Sequence, residues 1–215
     1  MLMEADKHNV HTRCRGDSMK RKRTYRIAAA VMLLLAVSGC SLFGSQADGL
    51  ILFGTREQTE KAVKAIQANL VDNQAYTVKT YKTNKEGAVG IIVDKSTAKK
   101  WAAAGLLQRI EHQKSAPLSS LPELPADGGI LFAESPSPSQ TVSNYSLPVR
   151  YEGNVVIGET RGCVHQIVIL DDAAWDGLEA EERTIAVLKS KKDPKHELSK
   201  IIRDVQQAQL FTFPK

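Results

Sequence analysis

Apolar positions recur along residues 49–213 in two rhythms, and their alternation predicts strands and helices in a mixed α/β (α+β) fold. Leu50-Ile51-Leu52-Phe53 is an uninterrupted apolar run of buried-strand length. Thr55, Arg56, Glu57 and Gln58 then have the form of a capping box, in which the side chain of each end residue satisfies a free backbone N–H of the other. Ala62, Val63, Ile66 and Leu70 follow at helical spacing, so a helix is predicted over residues 56–70. Tyr76, Val78 and Thr80 alternate with Thr77, Lys79 and Tyr81 as a half-exposed strand should. Asn84, Lys85, Glu86 and Gly87 supply a turn, and residues 89–93 the return strand. Asp94 opens a short helix with Trp101 on its inner face and Gly105 near its end.

Pro117, Pro122 and Pro125, set among Ser and Leu, mark residues 115–126 as a connector, after which the pattern begins again. Asp48-Gly49-Leu50-Ile51-Leu52-Phe53 matches Asp127-Gly128-Gly129-Ile130-Leu131-Phe132 at five of six positions. Ile91-Ile92-Val93-Asp94 before Trp101 has a counterpart in Val168-Ile169-Leu170-Asp171 before Trp175, and residues 76–81 have one in 145–151. The two aspartates are 46 residues apart in the first run and 44 in the second. These runs read as two degenerate β-α-β-β-α repeats, residues 49–114 and 127–215, packed as one compact unit. Chance similarity between apolar strands is the alternative.

The second run departs from the first at residues 134–143, where Ser and Pro replace the helix with a surface loop. Residues 183–189 fit either a helix or a strand. Asp193-Pro194 starts a helix with Leu198, Ile201, Ile202 and Val205 along one face, and Leu210-Phe211-Thr212-Phe213 closes the chain as a short edge strand or a packed tail.

A third kind of pattern precedes all this. Residues 27–37 are eleven consecutive apolar residues, well short of the roughly 20 that span a bilayer. Lys20, Arg21, Lys22, Arg23 and Arg26 stand before them, and Val37-Ser38-Gly39-Cys40 closes the run. Basic segment, short apolar segment, small residues and cysteine, in that order, resemble a bacterial lipoprotein signal peptide. The resemblance implies cleavage between Gly39 and Cys40. It also implies acyl chains such as palmitate on Cys40, an extracytoplasmic domain held at the membrane by that lipid, and a tether over residues 40–48. An ordinary cysteine at the end of an uncleaved helix is the alternative. Residues 1–18 are polar and mixed in charge, so Met19 is the expected start, and Cys14 belongs with the discarded leader in residues 1–39.

That division changes the charge balance. The chain carries a formal +5, yet residues 1–39 hold eight Lys/Arg and three Asp/Glu, which is the whole excess. Residues 40–215, 176 in number, carry 21 of each sign. A neutral domain of this size can build its own core, and it gives no footing for nucleic-acid binding. With Cys14 discarded and Cys40 lipidated, Cys163 stands alone, and no disulfide is expected to hold the fold.

Reactive side chains crowd at one place, Gly158-Glu159-Thr160-Arg161-Gly162-Cys163-Val164-His165. If extended, this segment puts Cys163 and His165 on one strand face, where they can act as a thiolate and its base or as half of a metal site. No Cys-x-x-Cys completes a metal shell, and His112 and His196 are distant in sequence, so a small packing cysteine is the competing reading. Gly158 and Gly162 lack the Lys-Ser/Thr of a phosphate loop, and His196-Glu197 lacks a second histidine, Lys200 standing there. Asp94, Asp171 and Asp172 are read as helix caps. Lys189, Lys191, Lys192 and Lys195 form a small positive run, suited to a solvated loop or to anionic head groups. No cofactor or metal is expected.

Asp-Gly-x-Ile-Leu-Phe, together with the segments at residues 155–162 and 186–189, is similar to a family of uncharacterised small lipoproteins of Bacillus-type bacteria. The resemblance implies extracytoplasmic placement and carries over no site residue beyond Cys40. The expected function is therefore a non-catalytic, membrane-anchored module binding an envelope protein or cell-wall component. The rivals are an envelope hydrolase or thiol enzyme using Cys163 and His165, and a small-ligand receptor with a cleft between the halves.

Overall fold

A computed structural model describes residues 47–214, apart from 84, 86–87, 113, 137–140 and 143–144. The signal segment, Gly39, Cys40, Cys14 and most of the 84–87 turn lie outside the described residues. Among those described, no helix is long and apolar enough to cross a membrane.

Strand β1 (Gly49–Gly54) is buried at every position and leads into helix α1 (Arg56–Ile66). The capping box forms in full: the Thr55 N–H donates to Gln58 Oε1 at 2.9 Å, and the Gln58 N–H to Thr55 Oγ1 at 3.2 Å. The helix is shorter than its apolar spacing predicts. A 3-10 turn over Gln67–Asn69 ends it, and Leu70, expected on the last helical turn, opens the long strand β2 (Leu70–Lys82). Leu70 still reaches the core beneath α1, because a bulge between Lys189 and Ser190 shifts its register. Strand β3 (Val89–Asp94) and helix α2 (Lys95–Ala103) follow, with Asp94 capping the Thr97 N–H at 2.7 Å and Trp101 fully buried.

The expected connector is partly a strand. Strand β4 (Leu107–Glu111) turns back into β5 (Lys114–Pro117), and β9 (Val155–Ile157) completes a separate three-stranded sheet that the pattern did not foretell. Its strands are too short to show a period. The remaining elements are β6 (Gly129–Ala133), β7 (Thr141–Val142), β8 (Leu147–Tyr151), β10 (Val164–Leu170), α3 (Asp172–Asp176), β11 (Glu181–Ser190), α4 (Lys195–Ile201) and β12 (Gln207–Phe211). The ambiguous segment at 183–189 is thus a strand. Helix α4 stops at Ile201, leaving Ile202 48% exposed, while Val205 folds back into the core.

Nine strands form the main sheet in the order β12-β1-β11-β2-β3-β10-β6-β8-β7. The two repeat-like runs meet at its centre, where β3 and β10 pair in parallel through buried Ile91, Ile92, Ile167 and Val168. Strand directions correspond between the runs but strand order does not. β11 sits between β1 and β2, whereas β6 pairs directly with both β8 and β10. Where the rival receptor reading sets a cleft between the halves, there is continuous strand pairing.

The core lies in three clusters. One face of the sheet packs Ile51, Phe53, Val78, Ile91, Val93, Phe132, Ile167 and Ile185 under α2 and the small sheet, with Trp101 inside. The opposite face is covered in two places. α1 and α4 close over Leu50, Leu52, Ala186 and Leu188 at one end, while Trp175 and Leu178 with the β7–β8 region close over Ile92, Leu131, Val168 and Leu170 at the other. Between these covers a strip of β2, from Asn73 to Thr77, is left open.

Candidate functional site

The crowded segment at 158–165 is held for structural reasons. Gly158 and Gly162 have φ of +73° and +52°, and a Cβ on either would run into Gln209 or Gln207. Those two glutamines of β12 pin the loop. Gln209 Oε1 accepts from the Glu159 and Thr160 N–H groups, each at 3.2 Å, and Gln207 Oε1 accepts from the Cys163 N–H at 2.7 Å. Arg161 turns inward, donating to the His165 carbonyl at 2.5 Å and to Asn154 Oδ1, and burial lowers its pKa.

The alternation that would set Cys163 and His165 on one strand face is interrupted. β10 pairs with β3 through Val164 and then Gln166, so His165 falls in a register shift and the two-residue alternation is broken there. Cys163 is not free, which corrects the expectation that it stands alone, and no thiolate is assigned to it. The His165 pKa is lowered, first by burial and then by Lys85 and Arg161, with only Glu134 and a hydrogen bond to the Gly162 backbone opposing. Among the described residues, no group of three or more His, Cys, Asp or Glu is placed to hold a metal ion.

Asp94 and Asp171 cap the helices that follow them, as expected. Asp172 does something else: it accepts from the Ser96 N–H at 3.0 Å and from the Ser96 hydroxyl, joining the first turns of α2 and α3. In the lysine run, Lys191 donates to the Ala68 carbonyl and Lys195 pairs with Asp193 at 3.5 Å, so part of its charge is engaged locally. His112, at φ +49°, lies beside an open hollow of about 700 Å³ around Arg109, Lys114 and Ser119. His196 accepts a hydrogen bond from Ser199 through its carbonyl, inside α4.

The concavity with the clearest construction is the uncovered strip. Register places Ala75 opposite Ala186 and Thr77 opposite Thr184, so four small side chains share one face and form a shallow floor. Asn73 extends this floor, and α1 stands beside it as a wall, presenting Arg56, Glu60, Val63 and Lys64. The resulting groove encloses about 430 Å³. Arg56, Glu60 and Lys64 follow one another at four-residue spacing, an alternation of sign that leaves the wall polar but nearly neutral. Two residues beyond Thr77, buried Lys79 ends the strip, its ammonium capped by carbonyls of the α3 turn.

The groove was not found from sequence, although one signal for it was present. The odd positions of β2 run Val71, Asn73, Ala75, Thr77, Lys79, with no large apolar residue after the first, whereas the even positions Tyr76 and Val78 face a core. Such a strand has one buried face and one that only small or polar residues furnish.

Comparison with known proteins agrees with this fold. The family model described as an uncharacterised lipoprotein family matches residues 47–214, nearly all of the described chain. A crystal structure of a candidate lipoprotein from Bacillus anthracis superposes with a TM-score of 0.72 at 22% identity, covering 78% of this chain and 100% of that one. No curated protein matches.

Proposed function

We propose that this chain, which belongs to the uncharacterised lipoprotein family, is a membrane-anchored binding module of the cell envelope, tethered through lipid on Cys40 at the extracytoplasmic face. Its binding site is the groove between α1 and the β2/β11 strip. The observation that carries this is the floor of Asn73, Ala75 and Thr77, a stretch of β2 left uncovered between two well-covered stretches of the same face, with buried Thr184 and Ala186 behind it. An uncovered sheet face with small residues and a helical wall offers shape and backbone to a ligand, while the neutral charge balance argues against steering by nucleic acid. No catalytic group is assigned, since the segment with reactive side chains is occupied in holding its own loop.

A photo-crosslinking residue at Lys64, on the wall, tests this in intact cells. Adducts to an envelope component are expected, and Ala75→Trp, which fills the groove from an exposed position, should reduce them at least tenfold. A crosslinker at exposed Lys192 serves as the control. Adducts indifferent to Ala75→Trp, or none at all, overturn the groove as the site.

A further inference from the structure

Resting on that reading of the groove, we infer that its ligand is an extended polypeptide segment, which adds to the main sheet as a further strand along β2. The inference comes from where the β2 backbone points. β3 pairs with β2 only from Lys79 to Lys82, whereas β11 pairs with β2 along almost its whole length. Residues 71–76 therefore have a strand on one side and none on the other.

Two hydrogen bonds fix which backbone groups face the vacant side. The Ser190 N–H donates to Asp48 just before β1, so even-numbered positions of β11 face β1 and odd-numbered ones face β2. The odd-numbered partners on β11 stand opposite Asp72, Gln74, Tyr76 and Val78, which therefore face β11. Independently, the Val89 N–H donates to Cys163 on the β10 side, so Gly90 faces β2, and its partner Tyr81 faces β3. Counting back by twos from Tyr81 reaches Lys79, Thr77, Ala75 and Asn73. Both routes agree that Asn73, Ala75 and Thr77 direct N–H and C=O away from β11; at Asn73 and Ala75 that side is empty, and none of those four groups has a hydrogen-bond partner among the described residues.

The same three residues put their side chains on the groove floor. One strand segment thus offers backbone pairing at its edge and a shallow depression on its face, the combination that recognises an extended chain by main-chain hydrogen bonds and by alternate side chains. The usual protections of an open edge are missing here: residues 71–78 contain no proline and no lysine, and Asp72 is their single charge. The true sheet edges differ, β7 being two residues long and β12 committing Gln207 and Gln209 to the 158–163 loop.

The register argues against a second copy as the occupant. Extending the Lys79–Ile92 pairing would set Asp94 beside Thr77, so β3 ends on the same line that an added strand must use. Two β2 edges paired antiparallel through Ala75 would drive the β3 of one copy into the β2 of the other. Sliding the pairing toward Val71 avoids this only by shortening the paired stretch. A single extended segment, paired from Ala75 back to Val71, brings no such neighbour.

Full-length lipidated protein in detergent micelles, panned against a displayed library of random decapeptides, tests the inference by amide exchange. Enriched peptides should slow exchange at Asn73 and Ala75 by at least tenfold. Ala75→Pro should weaken binding at least tenfold without lowering the unfolding midpoint, because the deleted N–H bonds nothing within the fold. The best peptide, N-methylated at alternate amides, should lose binding to the same extent, which checks the point without altering the protein. Failure to enrich any peptide overturns the inference, as does binding without protection of these amides or binding that survives both Ala75→Pro and N-methylation. In each case the groove itself is still judged by the Lys64 adducts. Protection of the same amides on raising the protein concentration alone assigns the edge to a second copy and overturns it too.

Discussion

Lys79 on β2 holds its ammonium 4.1 Å from the centre of the Trp175 ring and donates to the carbonyls of Trp175 and Leu178 at 2.5 and 2.6 Å. A buried cation thereby fastens the α3 turn onto the sheet. Lys79→Met keeps the aliphatic stem but strips two buried carbonyls of their donor, so a loss of about 2–3 kcal/mol is expected from urea unfolding. A loss under about 0.5 kcal/mol would show that water replaces the ammonium.

The Thr55 and Gln58 capping box is exposed to a simpler check. Thr55→Ala removes the acceptor for the Gln58 N–H and should cost about 1 kcal/mol. Gln58→Ala in the same background should add less than it does alone, since the two halves of the box act together.

Asp172 carries the acid response of the junction between α2 and α3. Hydrogen bonds from the Ser96 side chain and backbone hold its pKa below the usual aspartate value. The sign follows: the contribution is fully present above about pH 4, the unfolded aspartate value, and is lost as pH falls through the lower folded value. NMR titration of the carboxyl should show this, and Ser96→Ala should return the midpoint toward that of an ordinary aspartate. An unchanged midpoint would assign the shift elsewhere.

Gly162 is expected to tolerate no side chain while Gln207 is in place. Gly162→Ala puts a Cβ into the Gln207 amide at a positive φ, for an expected cost of about 1–3 kcal/mol. Repeating the substitution in Gln207→Ala should leave only the conformational part of that cost. Equal costs in both backgrounds would mean that crowding plays no role.

Cys40→Ser addresses the tether. It should abolish incorporation of a clickable fatty acid and move the protein from the membrane fraction to the soluble or secreted one. Persistence of both label and membrane association would place the anchor at another residue.

Local chemistry was more legible in the sequence than placement. The capping box at Thr55, the aspartate caps at Asp94 and Asp171 and the buried Trp101 follow from side chains acting within a few residues of themselves. The end of α1 was misjudged because Leu70 fits the helical period yet reaches the same core from a strand. Whether Cys163 and His165 share a face was not legible, because a register shift at His165 interrupts the alternation on which it depended. The groove escaped notice for a further reason: a depression is made by what does not cover a strand, and β2 gives little sign of where α1 and α3 stop.

The position of β1 between β11 and β12 has a kinetic meaning. Its pairing partners are Glu181–Ser190 and Gln207–Phe211, more than a hundred residues downstream. A chain synthesised or threaded N-terminus first therefore presents β1 long before anything exists for it to pair with. Loop-closure entropy disfavours that pairing until late, and folding of this part waits on the last strands. For a chain exported as proposed, which stays unfolded while it crosses a membrane, such a delay is an advantage, obtained from strand order alone.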